Sequence, residues 1–247
     1  MKILLLSDIH SNWAALSAIK ESFDVCLFAG DAVDYGANPV PCVHWLQENA
    51  NVAIRGNHDH AVAQHVPARR GTGFRELAAA TRPLHWELLS NRHIKYLTRM
   101  PVTKRVVLDD LSFYLVHATP RDPMDEYLAD NADAWEMQLE SIEADFVCVG
   151  HTHLPFHLHL GKTQVINSGS VGQPRDGDPR CSYVMIEDGK VHLRRVRYNI
   201  DAAIDQLHQA GVTGEAMELA ERVLRTGSQM VQEEKQVENK NKGDVNE

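Results

Sequence analysis

The sequence predicts an α/β fold that starts as a parallel, doubly wound sheet and turns antiparallel in its second half. Short apolar runs alternate with helically spaced apolar residues through residue 54. Beyond residue 100, turn-forming Asp-Asp and Asp-Gly pairs separate neighbouring strand-like runs. With 247 residues, 43% of them hydrophobic, the chain is long enough to bury a large core. We therefore expect one domain over residues 1–225.

The first part of that domain reads as strand, helix, strand, helix, strand. The opening run is apolar throughout, which is typical of a strand covered on both faces. Pro39 lies in the first turn of the second helix, where a missing amide donor does no harm. In order, the predicted elements are a strand over 3–6, a helix over 12–20, a strand over 25–29, a helix over 38–47 and a strand over 52–54.

Residues 60–100 have a different character, because stretches rich in Ala, Leu and Arg are broken by prolines and glycines. They predict a helical insertion that leans over a site without contributing recognisable chemistry. Strand patterns then return, and residues 226–247 lose almost all apolar residues, which indicates a frayed or disordered tail. The remaining predicted elements are strands over 104–108, 111–116, 146–149, 165–166, 181–186 and 191–196, a helix over 132–142, and one or two helices over 201–225.

Composition excludes several classes of function. A formal net charge of −9 argues against affinity for long nucleic acids, which requires neutralising many phosphates. No apolar run approaches the roughly 20 residues of a membrane span. The four cysteines show no CxxC pairing, and Cys26 and Cys148 lie in apolar runs, which favours buried thiols in a reduced, cytoplasmic protein.

Five short polar strings follow apolar runs, which places their side chains beyond the carboxyl ends of strands. Each string alone is a common turn or helix cap, and only the ordered set indicates a site. Asp8 and His10 are two residues apart, so an extended backbone would direct both to one side. The strings are Asp8-Ile9-His10, Gly30-Asp31-Ala32-Val33-Asp34, Gly56-Asn57-His58-Asp59, Val116-His117 and Gly150-His151-Thr152-His153.

Carboxylates, one amide and several imidazoles form a ligand mixture that suits hard-to-borderline divalent metals. Two such ions can clamp and hydrolyse a phosphate ester. Together with Asp8, Asp31 and a bridging hydroxide, two divalent ions leave the site with a net positive charge. The carboxylates alone would repel an anionic substrate. The strings therefore predict a binuclear centre that acts on a small phosphate ester.

The same strings resemble the pattern DxH, GDxxD, GNH(E/D), H and GHxH of the calcineurin-like metallophosphoesterases, from Asp8 to about Ser170. This resemblance implies a four-layer α/β/β/α sandwich of two mixed sheets. It also implies in-line attack by a metal-bridging hydroxide, with Mn²⁺ as the expected ion and Fe, Zn, Co or Ni as compatible ones. The first ion would be held by Asp8, His10, Asp31 and His153, and the second by Asp31, Asn57, His117 and His151.

The resemblance implies catalytic roles for His58 and Asp59. His58 would stabilise the transition state or protonate the leaving oxygen, and Asp59 would orient its imidazole. Tyr35 replaces a phosphate-contacting Arg of the Ser/Thr protein phosphatases and the symmetrical dinucleoside tetraphosphatases, which disfavours both substrate classes. Arg121 and Arg175 are candidates for contacting phosphate, and a surface ion pair is an equal alternative for each.

Strings over 34–39, 117–123 and 167–175 resemble the small bacterial and archaeal phosphodiesterase branch. The expected substrate is a small phosphate ester, with nucleotides included. The alternatives are a non-catalytic metal-binding module of the same fold and a nuclease or nucleotide hydrolase. A module that had lost catalysis would show degraded positions, whereas this chain keeps both His10 and His58. The sequence leaves the oligomeric state and the natural substrate open.

Overall fold

Two five-stranded mixed sheets pack face to face, with helices on the outer side of each, in a computed structural model that describes residues 1–229. This arrangement confirms the expected α/β sandwich. The strands are β1 (Lys2–Leu6), β2 (Val25–Phe28), β3 (Val52–Ala53), β4 (Thr103–Leu108), β5 (Leu111–Val116), β6 (Phe146–Val149), β7 (Phe156–Leu160), β8 (Thr163–Asn167), β9 (Cys181–Glu187) and β10 (Lys190–Val196). The helices are α1 (Trp13–Leu16), α2 (Pro39–Asn49), α3 (Asn57–Ala63), α4 (Phe74–Leu88), α5 (Asn91–Arg99), α6 (Ala132–Leu139), α7 (Ile200–Gln209) and α8 (Gly214–Thr226).

The order of strands explains how distant motifs meet. The first sheet runs β10-β9-β1-β2-β3, with β1 parallel to β2 and antiparallel to β9. The second sheet runs β4-β5-β6-β8-β7, with β5, β6 and β8 parallel. The polar strings follow β1, β2, β3, β5 and β6, so they emerge where parallel strands of both sheets end.

Alternating side chains of the central strands serve two apolar layers. Leu5 and Leu27 face the second sheet, where the rings of Phe113 and Phe146 stack at 4.9 Å between centroids. Leu4 and its alternating neighbours pack instead against the helices on the outer face. Burial on both faces is the reason that β1 reads as an unbroken apolar run.

The helical segment between β3 and β4 contains α3, α4 and α5, as the composition of residues 60–100 predicts. Helix α4 packs against α8, and α7 completes the same separate apolar cluster, which includes Leu77 and Leu207. The predicted helix over 12–20 is wrong beyond Leu16. The amides of Ala18 and Ile19 bond to carbonyls three residues back, so the chain ends in tight turns.

The expectation of buried thiols is met. All four cysteines are buried free thiols. Within residues 1–229, no helix combines the length and hydropathy needed to cross a membrane. Of the predicted charged tail, residues 226–229 complete the end of α8, where Gly227 adopts φ +63°. Residues 230–247 lie outside the described part of the chain.

Candidate binuclear metal centre

Three of the five loops that carry the polar strings use a left-handed backbone. Asp8, His10 and Asp31 have φ values of 53°, 46° and 64°, and His151 and His153 have 65° and 60°. Non-glycine residues adopt this region at a cost that folded structure must offset, and such positions cluster at functional sites. The expected extended geometry at Asp8 and His10 is therefore wrong. Successive tight turns, not strand alternation, direct these two side chains together.

Motif glycines make room for the carboxylates. A Cβ on Gly56 would lie 2.1 Å from Asp31 Oδ1, and a Cβ on Gly150 would lie 2.5 Å from Asp8 Oδ2. Main-chain amides reach the same carboxylate oxygens. The amide of His58 donates to Asp31 Oδ1 at 2.9 Å, and the amide of His151 donates to Asp8 Oδ2 at 3.0 Å. Each carboxylate is thus fixed by one oxygen, which leaves its other oxygen for a ligand.

Asp8, His10 and His153 form one triad, and none of the three exceeds 2% exposure. The Asp8 Oδ1 atom lies 3.2 Å from His153 Nε2 and 3.8 Å from His10 Nε2. Each imidazole donates from Nδ1 to a main-chain carbonyl, at 2.9 Å to Val33 and 2.6 Å to Gln173. Such bonds fix the tautomer and present Nε2 as a lone pair, as in metal-binding histidines.

The two Nε2 atoms of His10 and His153 lie only 3.2 Å apart. Because both Nδ1 atoms donate to carbonyls, neither Nε2 carries a proton to share with the other. Two lone pairs at this distance repel each other, and a cation close to both removes that repulsion. The geometry of this triad is therefore suited to a metal ion.

Asp31, His117 and His151 form the second triad. His117 Nδ1 donates to the Ala29 carbonyl at 2.8 Å, and its Nε2 lies 3.1 Å from Asp31 Oδ2. The same carboxylate oxygen lies 3.9 Å from His10 Nε2 in the first triad. Asp31 is thus placed between the triads, in the position that a bridging ligand requires.

Buried polar atoms that lack hydrogen-bond partners indicate that the donor atoms fit two divalent ions. Buried polar atoms normally find a hydrogen-bond partner. Asp8 Oδ1, Asn57 Oδ1 and His117 Nε2 are buried without one. These three atoms belong to residues that the sequence pattern proposes as ligands. Oxygen and imidazole donors without thiolate match Mn²⁺, Fe, Co, Ni or Zn²⁺.

The electrostatics agree with this fit. Burial lowers the pKa of His117, yet the Asp31 and Asp8 carboxylates outweigh burial and raise that pKa to about 10. Burial raises the pKa of Asp31, but the surrounding imidazoles, His117 first among them, bring it well below its usual value. Two ionised carboxylates in a dry cluster create a field that attracts positive charge.

His58 lies beside the triads in the first turn of α3, with its side chain 13% exposed. Its Nδ1 donates to Asp34 Oδ2 at 2.7 Å, which leaves Nε2 as the nitrogen available for proton transfer. Its ring centroid lies 5.1 Å from that of His10 and 4.6 Å from that of Tyr35. Burial lowers the pKa of His58, but Asp31 and Asp34 outweigh burial and raise it.

Helix α4 holds Asp34 in place, which sequence reasoning missed. Arg82 Nε donates to Asp34 Oδ2 at 2.9 Å, Arg82 Nη2 makes a second bond to the same oxygen, and Nη1 donates to the Val66 carbonyl at 3.0 Å. His85 accepts from the Asp34 amide at 3.0 Å. A signal existed, because Arg82 and His85 continue the stripe of buried positions begun by Leu77.

An open cleft of about 830 Å³ leads to this cluster. His151 of the second triad, His58 and helix α4 border it, and the loop over 64–73 forms part of its wall. The lining residues are Tyr35, Asn57, His58, Pro67, Ala68, Arg69, Gly71, Thr72, Phe74, Arg75, Ala78, Arg82, Asp125, Tyr127 and His151.

Comparison with known proteins identifies the family. Residues 1–189 match the model of the calcineurin-like phosphoesterase superfamily domain. The chain belongs to this superfamily. It is 32% identical over 237 residues to an uncharacterized protein, MJ0912, of Methanocaldococcus jannaschii, with 83% of this chain and 91% of that protein covered. It is 25% identical over 206 residues to phosphodiesterase YfcE of Escherichia coli K12, with 76% and 88% covered.

A solved structure supports the same conclusion. The metallophosphoesterase from Sphaerobacter thermophilus superposes with a TM-score of 0.76 at 31% identity, covering 92% of this chain and 100% of that one. Calcineurin-like phosphoesterases use divalent metals, and the two triads are candidate positions for them. The chain therefore combines the fold, the family and the donor groups of a metallophosphoesterase.

In this calcineurin-like protein, Asp59 does not orient His58, so that expectation is wrong. The Asp59 carboxylate is fully buried and accepts from the amides of Asp31, Ala32 and Gly56 at 2.8, 2.8 and 3.1 Å. Both oxygens are occupied by these amides, and Asp34 takes the place beside His58. Asp59 joins two motif loops to each other.

The two candidate phosphate-binding arginines differ. Arg121 has a 71% exposed side chain and pairs with Glu126, as the ion-pair alternative predicts. Arg175 is half-buried, lies 3.8 Å above the Phe74 ring, and donates to Gln173 at 2.9 Å. Its Nε is buried without a hydrogen-bond partner. Only Arg175 has a donor beside the site that a substrate oxygen could use.

Proposed function

We propose that this chain is a binuclear-metal phosphoesterase that hydrolyses a small phosphate ester, with diesters preferred. The observation that carries the proposal is the placement of His58, anchored by Asp34, beside two triads with Asp31 between them. A metal-binding module requires the triads alone. It has no need for an imidazole held by a buried carboxylate at the mouth of the metal cluster.

The protein supplies the ligands in two sets. Asp8, His10 and His153 would hold one ion, while Asn57, His117 and His151 would hold the other and Asp31 would contact both. When bound, the two ions lower the pKa of an attacking water and polarise the phosphoryl oxygens. The hydrogen bonds from Nδ1 of three imidazoles to main-chain carbonyls keep the ligand nitrogens aimed before substrate arrives.

His58 is the proton donor in this proposal. Its Nε2 delivers a proton to the leaving oxygen as the ester bond to phosphorus breaks. Asp34 holds Nδ1, so it fixes the ring orientation and stabilises the imidazolium before transfer. Arg82 completes the group by holding the Asp34 carboxylate, which is itself fully buried.

Diester preference is supported by the relative named phosphodiesterase and by the cleft. The cleft volume of about 830 Å³ exceeds what a lone phosphate group needs. It falls within the range of pockets that enclose whole small ligands. A diester places a substituent on both sides of phosphorus, and such a cleft has room for both.

The test uses metal-stripped protein reloaded separately with Mn²⁺, Fe²⁺, Zn²⁺, Co²⁺ and Ni²⁺. Each form is assayed on p-nitrophenyl phosphate, bis(p-nitrophenyl) phosphate and a cyclic nucleotide, and bound metal is counted by elemental analysis. We expect two ions per chain and turnover that is faster on the diester. Full loading without hydrolysis of any ester by any form would overturn the proposal.

A further inference from the structure

The arginines at the cleft fall into two groups, those that contact other protein groups and those that do not. Arg82 is committed to Asp34 and Val66, whereas Arg175, beside the same cleft, stacks on Phe74 and donates to Gln173 but keeps Nε without a partner. Arg69 and Arg75 line the cleft, and within residues 1–229 neither guanidinium forms a hydrogen bond or an ion pair. Two arginines of the wall are therefore not explained by the architecture of the protein.

The charge around Arg69 and Arg75 indicates which kind of ligand they would bind. The chain as a whole carries a formal charge of −9, so a cleft wall with two unpaired arginines differs in sign from the protein as a whole. Asp125 is the one carboxylate among the residues that line the cleft. It lies two residues before Tyr127 in sequence, and its main-chain carbonyl accepts from His151 Nε2 at 3.3 Å. The wall around Arg69 and Arg75 thus favours an anion.

An open aromatic ring lines the same cleft. Tyr127 is 66% exposed, and its ring centroid lies 4.1 Å from that of His151. Phe74 has the Arg175 guanidinium over one face and the Tyr35 ring nearby. Of these rings, Tyr127 retains the most surface for a planar ligand. Aromatic rings beside cationic groups are how proteins commonly bind nucleotides.

We propose that the substrate is a nucleotide diester that carries a second phosphate besides the one cleaved. Arg69 and Arg75 bind the second phosphate, and Tyr127 stacks on the base. This inference rests on the proposed function, because the scissile phosphate occupies the metal cluster beside His58. Arginine suits the second position, since its planar donor fork matches phosphate oxygens.

The experiment uses a matched pair of substrates with the same scissile bond and leaving group. One is thymidine 5′-(p-nitrophenyl phosphate), and the other is the same ester with a 3′-phosphate. With the wild-type enzyme, we expect kcat/KM to be about tenfold higher for the 3′-phosphorylated ester. That advantage should fall as ionic strength rises, because both arginines are exposed.

The double variant R69A/R75A should lose the advantage of the 3′-phosphate. Its turnover of bis(p-nitrophenyl) phosphate should stay within about twofold of wild type, because that ester has no second phosphate. Arg70→Ala is the matched control. Arg70 is exposed in the same loop but does not line the cleft, so this variant should keep the full advantage. Tyr127→Ala should slow both thymidine esters equally and leave their ratio unchanged.

Binding provides a readout independent of turnover. Calorimetry on the metal-loaded protein compares thymidine 3′,5′-bisphosphate with thymidine 5′-monophosphate. We expect the bisphosphate to bind about tenfold more tightly, and only R69A/R75A to remove the difference. Equal binding of the two nucleotides, or a difference that survives in R69A/R75A, would overturn the inference. If bis(p-nitrophenyl) phosphate is still hydrolysed in that case, the proposed function stands. If no ester is hydrolysed but the bisphosphate still binds more tightly, only the proposed hydrolysis is overturned.

Discussion

The motif loops and helix α4 contribute to one site in different ways. The loops place short polar side chains directly after strands, so their contacts follow from local sequence. Helix α4 contributes Arg82, which lies 48 positions from its partner Asp34 in the chain and carries no motif. Local patterns indicate which side chains are candidate ligands, while tertiary packing decides which carboxylate contacts His58, the proposed proton donor.

Asp31 and Asp34 show the contrast within a single string. Asp31 lies between the two triads with its Oδ2 near His117 and His10. Asp34, three residues on, turns away from the triads and binds His58 and Arg82. The pKa of Asp34 falls to about 2, because His58 and Arg82 overcome the effect of burial. In the proposed function, the loop therefore divides its two carboxylates between metal binding and support of the proton donor.

Asp31→Asn should have the largest effect, because it alters the one residue placed between both triads. We expect turnover to fall by about 10³-fold or more, above the 10–100-fold typical of groups that only support a ligand. Elemental analysis should show loss of bound metal. An Asp31→Asn protein that retains two ions and normal turnover would contradict the assignment.

Asp110→Asn is the matched control for that variant. Asp110 has φ 63°, close to the 64° of Asp31, and Asn tolerates this left-handed region. The residue lies in the exposed turn between β4 and β5. Both substitutions thus make the same chemical and conformational change, and only the one at the triads should alter metal content or activity.

His58→Ala should keep both ions and lose turnover by about 10²–10⁴-fold, the usual contribution of general acid–base catalysis. The loss should be larger for an alkyl ester than for a p-nitrophenyl ester, because a poor leaving group depends more on protonation. Metal content and rates with both leaving groups are the measurements. His44→Ala, on the exposed face of α2, is the control. Equal losses for both leaving groups would exclude the proton-donor role.

Local order predicted most element bounds and the polar strings, while the sandwich and the division of the candidate ligands into two sets followed from the resemblance to the calcineurin-like family. Apolar runs identify strands buried on both faces, and the strings that follow them fall at the ends of parallel strands. The geometry of Asp8 and His10 was not predicted correctly. Both residues adopt left-handed turns that composition alone does not indicate.

The role of Asp59 shows why the rest of the site was not predictable. Proximity in sequence pairs Asp59 with His58, but both lie in the first turn of α3 and the Asp59 carboxylate turns toward three amides. Asp34 approaches His58 from another loop, and Arg82 approaches Asp34 from α4. Such contacts depend on how α4 packs against α8, which no local pattern specifies.

Arg82→Ala tests the contribution of α4. It leaves the buried Asp34 with His58 as its main partner, so we expect the free energy of unfolding to fall by about 3 kcal/mol. We expect kcat to fall about tenfold with little change in KM, and more for an alkyl than for a p-nitrophenyl ester. Arg82→Lys should restore part of kcat. Arg92→Ala, exposed on α5, is the control, and a purely structural role for Arg82 would leave the leaving-group dependence unchanged.

Arg175 and Arg121, the two candidate phosphate-binding arginines, are expected to give the smallest effects, and these effects should be confined to KM. Arg175→Ala should raise KM by about tenfold with little change in metal content, because its buried Nε lacks a protein partner and its guanidinium lies beside the cleft. Arg121→Ala should change KM by less than about twofold, since exposed ion pairs contribute little. Steady-state kinetics on one diester measures both. Equal effects of the two variants on KM would show that burial beside the cleft does not decide which arginine binds phosphate. A larger effect of Arg121→Ala would assign phosphate binding to the exposed loop.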